Sequence, residues 1–432
     1  MYRTSLYTIF NEQSDGNFVL VHGYTGAIDV VNRSIANFLR MGGRVKEWNY
    51  KVGFSLQTFE ELVTRGYLTQ KNPYDESFRV QKQAHLLHES RKKMRSWLFL
   101  VAYDCNFRCP YCFENEISQN GRGWSKLTFT RESVDRAYEA MIEMEPDRRF
   151  HGNSITLYGG EPLLKKNASI VEYIVNEGIK RNYNFRAITN GYEIEAFEHL
   201  LGPNKINSLQ ITVDGTKEKH DARRTHYADG STFDKIMDNI ELSLNKEVRV
   251  SVRVNVDLNN FEDVRVLNEY FKERGWLDKK GLFSYYSALI NSDEDLKCNV
   301  VMTGEKATTY KGIEDEYGVE DPGFYNPYSQ YINFDAEEKR VQDNTFIHFH
   351  DDEEANLLGE DIKTISRVKY IDMVIEDTDN GVSAGCQDFG IRNKILNAIE
   401  NKNLIQFQSA FCGAQTGMMI FDPVGDLFTC WE

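Results

Sequence analysis

Between about residues 96 and 290, apolar strand-like runs alternate with helical patterns, and this alternation constrains the fold more than any other feature. Candidate strands are Trp97–Tyr103, Ile155–Tyr158, Phe185–Ile188, Leu209–Val213, Val248–Val256 and Phe283–Leu289. Helical spacing lies between them at Glu132–Glu143, Ser169–Lys180, Phe233–Leu244 and Glu262–Glu273. A strand–helix alternation gives a parallel sheet with helices packed outside it. Six units suit a partial (β/α)6 barrel better than a closed eight-fold one. The chain has 432 residues, 41% of them hydrophobic, so two or three domains are expected.

The flanking segments read differently. In residues 1–80, Leu6–Phe10, Phe18–His22 and Ala27–Val31 read as strands, followed by helices near Val31–Leu39 and Phe54–Tyr67. That order suits a winged-helix-like module. Residues 81–95 are charged and read as a connector. Residues 291–385 are rich in Tyr, Asp, Glu, Gly and Asn with weak periodicity, and read as an insertion or irregular region. In 386–432, Phe421–Leu427 reads as a hairpin that turns at Pro423–Asp426.

The net charge of −15 argues against general nucleic-acid binding. The basic strip Arg91, Lys92, Lys93 and Arg95 reads as a solvated linker. The N-terminus carries no secretory pattern, and the longest apolar run, Trp97–Tyr103, is far short of a membrane span, so a cytoplasmic protein with no membrane partner is expected. Seven cysteines, an odd number, argue against a disulfide framework.

Three of those cysteines carry the chemistry. Cys105, Cys109 and Cys112 have the spacing C-x3-C-x2-C, on a loop leaving the first strand of the barrel. Active sites of parallel α/β folds lie at that end of the strands. Thiolates suit both iron–sulfur clusters and zinc. Three of them leave one iron of a cubane cluster without a protein ligand, open to a small molecule. Structural zinc would want a fourth Cys or His nearby, and the nearest histidines outside the loop are His88 and His151.

The triad resembles that of the radical S-adenosylmethionine (SAM) superfamily, which shares the spacing and the partial barrel. Gly159-Gly160-Glu161-Pro162, after the second strand, matches the family's GGEP motif, which holds the SAM amino group. The glycines would let the chain approach the ligand, and Glu161 would accept from its ammonium. Thr189 and Asn190 end the third strand; Thr212 and Asp214 end the fourth, with Thr212 where the family has Ser. Arg224 takes the arginine position of the following H-D-x-x-R pattern and pairs, by resemblance, with the SAM carboxylate. Asn255 on the fifth strand, and Tyr111 inside the triad loop, are further SAM contacts implied by the resemblance. The implied chemistry is reductive cleavage of SAM to a 5′-deoxyadenosyl radical that takes hydrogen from an unactivated C–H bond. No residue stands out as a catalytic base.

Cys412-x12-Gly425-x4-Cys430 resembles the opening of a SPASM/twitch extension, with Cys386 a third candidate ligand for an auxiliary iron–sulfur cluster. The alternative is buried thiols. The further cysteines of a full SPASM domain do not follow, so a truncated or reduced, twitch-like site is expected. The 1–80 module resembles the leader-recognition element of peptide maturases, where a leader adds as a strand to a sheet edge; the alternative is a cap on the barrel. Together these imply an α/β fold: a partial (β/α)6 radical SAM barrel over 96–290, an N-terminal recognition module and a C-terminal SPASM/twitch-like extension. The implied function is a peptide maturase forming a C–S or C–C cross-link in a leader-bearing precursor, with an external flavodoxin- or ferredoxin-type reductant. A formylglycine-generating sulfatase maturase is the alternative in the same class, and a non-catalytic zinc protein the alternative in another.

Overall fold

The computed structural model describes residues 1–112, 126–290, 367–382, 385–386, 391–405 and 417–429. Cys298, Cys412 and Cys430 lie outside the described residues, as does most of the 291–385 segment.

The N-terminal region opens with β1 (Arg3–Thr4), then β2 (Thr8–Glu12), β3 (Phe18–His22), β4 (Ile28–Val31), α1 (Arg33–Arg40), α2 (Leu56–Thr64) and β5 (Leu68–Thr69). β2, β3 and β4 form an antiparallel sheet in that order. Alternating Phe18, Leu20 and His22 bury one face of β3. Phe18 and Leu20 pack with Ile35 and Leu39 of α1 and Phe59 and Leu62 of α2. Asn32 and Ser55 cap the two helices, accepting from the amides of Ile35 and Thr58.

The expected connector at 81–95 is instead mostly the second half of a helix, α3 (Pro73–Lys93). It is polar almost all round, and the residue it buries is Glu76. Glu76 accepts from Arg3, from Ser5 at 2.5 Å and from the Leu6 amide. A polar anchor holds this helix where an apolar stripe would be expected.

The barrel follows as β6 (Arg95–Ala102), α4 (Arg131–Met144), β7 (His151–Gly159), α5 (Ala168–Lys180), β8 (Asn184–Thr189), β9 (Ile206–Thr212), α6 (Lys217–Arg223), α7 (Phe233–Asn245), β10 (Arg249–Val256), α8 (Asp263–Glu273) and β11 (Phe283–Leu289). The six strands pair in sequence order and in parallel. One face of each strand packs on the helices, through residues such as Phe99, Leu157, Ala187, Ile211 and Val252.

Later segments extend the sheet at both edges. After α9 (Arg367–Asp379), β12 (Gly385–Cys386) pairs in parallel with β11. After α10 (Ile391–Asn401), β13 (Met418–Phe421) pairs in parallel with β6, and β14 (Leu427–Phe428) closes the expected hairpin. The hairpin placed in a separate C-terminal extension is thus part of the barrel sheet. Asp422 fixes its turn, accepting from the amides of Val424, Gly425 and Asp426, and the Tyr103 hydroxyl donates to it at 2.7 Å.

Candidate active site at the C-terminal ends of the barrel strands

The loop after β6 carries Cys105, Cys109 and Cys112, none of them in a disulfide. It is tied down by the segment that follows Arg224. The Arg108 amide donates to Thr225 O at 2.9 Å and the Tyr227 amide to Asn106 O at 3.0 Å. Asn190 Nδ2 donates to Asn106 Oδ1 at 2.7 Å. Burial pushes the Cys109 thiol up to about 11, against the pull of Arg224. Cys105 is raised further by burial and by Glu161. Thiols in this state give up their protons when a metal arrives. Among the described residues no three Cys, His, Asp or Glu groups gather at one point as a single metal ion requires. A cubane cluster makes no such demand, because each cysteine meets its own iron.

Gly159 and Gly160 leave β7 beside the end of β6. A Cβ on Gly160 would stand 2.4 Å from Tyr103 O and 2.6 Å from Asp104 O. One on Gly159, where φ is +136°, would stand 2.3 Å from Ala102 O. The glycines therefore make room for the neighbouring backbone, a different reason from the ligand approach expected of them. The Glu161 amide donates to Asp104 O, which locks the two loops together. Pro162 is buried behind them.

Glu161 is 1% exposed and accepts from the Leu163 amide at 2.8 Å, the Thr189 hydroxyl at 2.7 Å and the Asn190 amide at 2.6 Å. Burial raises its pKa to about 7; those three donors and Arg224 pull the other way. A second group forms beside it. The Tyr111 hydroxyl donates to Asp214, accepts from Arg224 Nη1 at 2.8 Å and lies 3.4 Å from Asn255 Nδ2. Asp214 is fully buried, and its pKa is raised by that burial against Arg224. Arg224 Nε and Asn106 Nδ2 are buried without a hydrogen-bond partner among the described residues. Buried donors without acceptors suit an anionic ligand that supplies them.

Of the residues expected from the sequence, Cys105, Glu161, Thr189 and Asn190 thus form one group, and Cys109, Tyr111, Asp214, Arg224 and Asn255 another. Thr212 lies in register beside Arg253. Cys386 pairs in register with Ser287 at the edge of the sheet. Asn106 and the Thr225–Tyr227 segment were missed, although adjacency to Cys105 and Arg224 was a usable signal.

A family model described as the Radical SAM superfamily matches residues 99–270. Those residues form a radical SAM domain. A cysteine-type anaerobic sulfatase-maturating enzyme of Clostridium novyi is 29% identical over 182 residues, 40% of this chain and 46% of that protein. The chain thus spans about half the length of that relative. A GTP 3′,8-cyclase of Campylobacter jejuni is 22% identical over 260 residues, 55% of this chain and 75% of that one. Among solved structures, native anSMEcpe with bound AdoMet aligns over 78% of this chain and 74% of its own, at 19% identity and TM-score 0.45. Streptococcus suis SuiB bound to S-adenosylmethionine aligns over 99% and 82%, at 12% identity and TM-score 0.43. Among the described residues no helix is long and apolar enough to cross a membrane.

Proposed function

We propose that the chain is a radical SAM peptide maturase, with a 4Fe–4S cluster on Cys105, Cys109 and Cys112. The observation that carries this reading is the convergence of that cysteine loop with a buried carboxylate and a buried guanidinium at one end of a parallel sheet. Glu161 suits the amino group of SAM, and Arg224, with its orphaned Nε, suits the carboxylate. Tyr111, Asp214 and Asn255 hold Arg224 in place, while Thr189 and Asn190 hold Glu161. Bound there, cluster and SAM supply a one-electron cleavage to methionine and a 5′-deoxyadenosyl radical able to take hydrogen from an unactivated C–H bond. The external reductant is a flavodoxin- or ferredoxin-type protein.

Two features support a peptide as the substrate. The three-stranded N-terminal sheet has β2 as an outer strand, with Ile9 58% exposed on it, a strand on which an extended peptide can add. The barrel also matches an enzyme named for maturing sulfatases. The proposed reaction is a C–S or C–C cross-link in a leader-bearing precursor. Cys412 and Cys430 are the proposed ligands of an auxiliary cluster that would take the second electron; Cys386 sits on β12, at the other edge of the sheet from the β13–β14 hairpin. Formylglycine formation on a sulfatase is the second reading, favoured by that same match.

The test is anaerobic cluster loading followed by reduction with SAM. The wild-type protein should release 5′-deoxyadenosine, and Cys109→Ala should release none. Retained 5′-deoxyadenosine production in that variant would refute the triad assignment.

A further inference from the structure

In a parallel barrel alternate residues of each strand face the concave side. The residues facing the helices are fixed by the core, among them Ala187, Leu209, Ile211, Val252, Val254 and Tyr285. The remaining positions of β6 to β11 contain no Asp or Glu, although the chain has 66 acidic residues against 51 basic ones. They do contain Arg186 on β8 and Arg249 and Arg253 on β10.

These arginines have neutral partners. Arg186 Nε donates to the Thr156 hydroxyl at 2.7 Å, Arg249 Nη2 to Asn207 Oδ1 at 3.3 Å and Arg253 Nε to Asn255 Oδ1 at 2.8 Å. Among the described residues none of the three faces a carboxylate within ion-pair distance, whereas Arg223 and Arg265 pair with Asp257 and Asp377. Register orders the three. Arg186 and Arg249 both sit beside Ser208, and Arg253 sits beside Thr212, roughly 13 Å nearer the cysteine loop at ~3.3 Å per residue.

Of these three, Arg253 is therefore the closest to the reacting end. Its Nε is held by Asn255, which leaves the Nη fork unengaged among the described residues. Tyr286 pairs with it in register, and the Tyr286 hydroxyl donates to Gln210 Oε1 at 3.1 Å, so two further polar side chains border the same place. A half-buried guanidinium fork on strands that carry no Asp or Glu matches a carboxylate geometrically and electrically.

We infer that Arg253, bordered by Tyr286 and Gln210, binds a carboxylate of the peptide substrate, an acidic side chain or the C-terminus, beside the site of SAM cleavage. This rests on the peptide-maturase reading. Arg186 and Arg249, exposed nearer the N-terminal ends of β8 and β10, add to the positive potential that draws such a peptide in.

The test uses the cluster-loaded full chain with SAM under anaerobic conditions, and fluorescein-labelled Ala/Gly heptapeptides in three forms. One has a central Gln and an amidated C-terminus, one a central Glu and an amidated C-terminus, and one a central Gln and a free C-terminal carboxylate. Fluorescence anisotropy should show one carboxylate form binding about tenfold or more tightly than the neutral form, as expected for a charge-assisted bidentate pair. Which form it is identifies the source of the carboxylate. Arg253→Gln should abolish the preference and Arg253→Lys should keep part of it, with SAM still bound by both. Equal binding of all three forms, no binding of any, a preference that survives Arg253→Gln, or loss of SAM binding in both variants would each overturn the inference. Wild-type protein that yields no 5′-deoxyadenosine under reduction would instead overturn the reading on which it rests.

Discussion

At the scale of residues, Glu161 carries the sharpest electrostatic conflict in the site. Its backbone and hydroxyl donors are arranged for a carboxylate, yet burial holds its pKa at about 7 against an ordinary 4.5. A folded-state pKa above the unfolded one means that the folded state binds the extra proton between those values. Ionisation of Glu161 therefore costs stability as pH rises from 4.5 to about 7, on the order of 3 kcal/mol in total. His22 runs the other way, because burial lowers its pKa to about 4 and its neutral form favours folding as pH rises towards 6.5. The difference between two proteins isolates Glu161. In urea unfolding of the cluster-free protein, wild type minus Glu161→Gln should lose stability between pH 4.5 and 7 and level off above it. A difference that does not change with pH would mean that folding leaves the Glu161 pKa unshifted. The ammonium of SAM would relieve the same conflict, which is why a buried acid suits this position.

At the scale of elements, legibility followed the kind of force that holds each one. The six barrel strands could be read because their helix-facing residues are apolar and β-branched, as in Val250, Val252 and Val254. The cysteine loop and Gly159–Glu161 could be read because their spacing is local. α3 could not, because its anchor is a single buried carboxylate, Glu76, whose partners lie about 70 residues away. The role of β13 was hidden for a similar reason: it pairs with β6, more than 300 residues earlier. The same long-range logic joins α10 to the N-terminal sheet. Asp29 of β4 is 6% exposed, pairs with Arg65, accepts from the Tyr67 hydroxyl at 2.9 Å and meets Lys402 Nζ at 3.0 Å. The Ile405 amide donates to Gly26 O at 2.9 Å, and a Cβ on Gly26 would stand 2.1 Å from Ile405 O. Asp29→Asn leaves Arg65 and Lys402 without a counter-charge. It should cost about 3 kcal/mol in urea unfolding and speed hydrogen exchange at the Ile405 amide. Unchanged exchange would show that this charge does not hold the contact.

At the scale of the whole molecule, the N-terminal region is joined to the rest through α3 and through the 402–405 contact, and both bear on how its proposed role can be tested. A cut at residue 80 would leave half of α3 without the Glu76 anchor, so the informative deletion removes residues 1–94 and begins at β6. The cysteine loop, Glu161, Arg224 and Asn255 make every contact described above within the barrel, so SAM cleavage without peptide should survive the deletion. Peptide binding should not. If leader recognition uses the N-terminal sheet, the deletion should weaken binding of a leader-bearing precursor by at least about tenfold, as loss of a main-chain-paired strand implies. The core-peptide preference set by Arg253 should remain, because that wall belongs to β10. The two losses are thus separable: the deletion removes dependence on the leader, and Arg253→Gln removes dependence on a substrate carboxylate. Undiminished leader affinity in the deletion would leave the N-terminal sheet as a cap on the barrel, with substrate choice resting on the barrel wall.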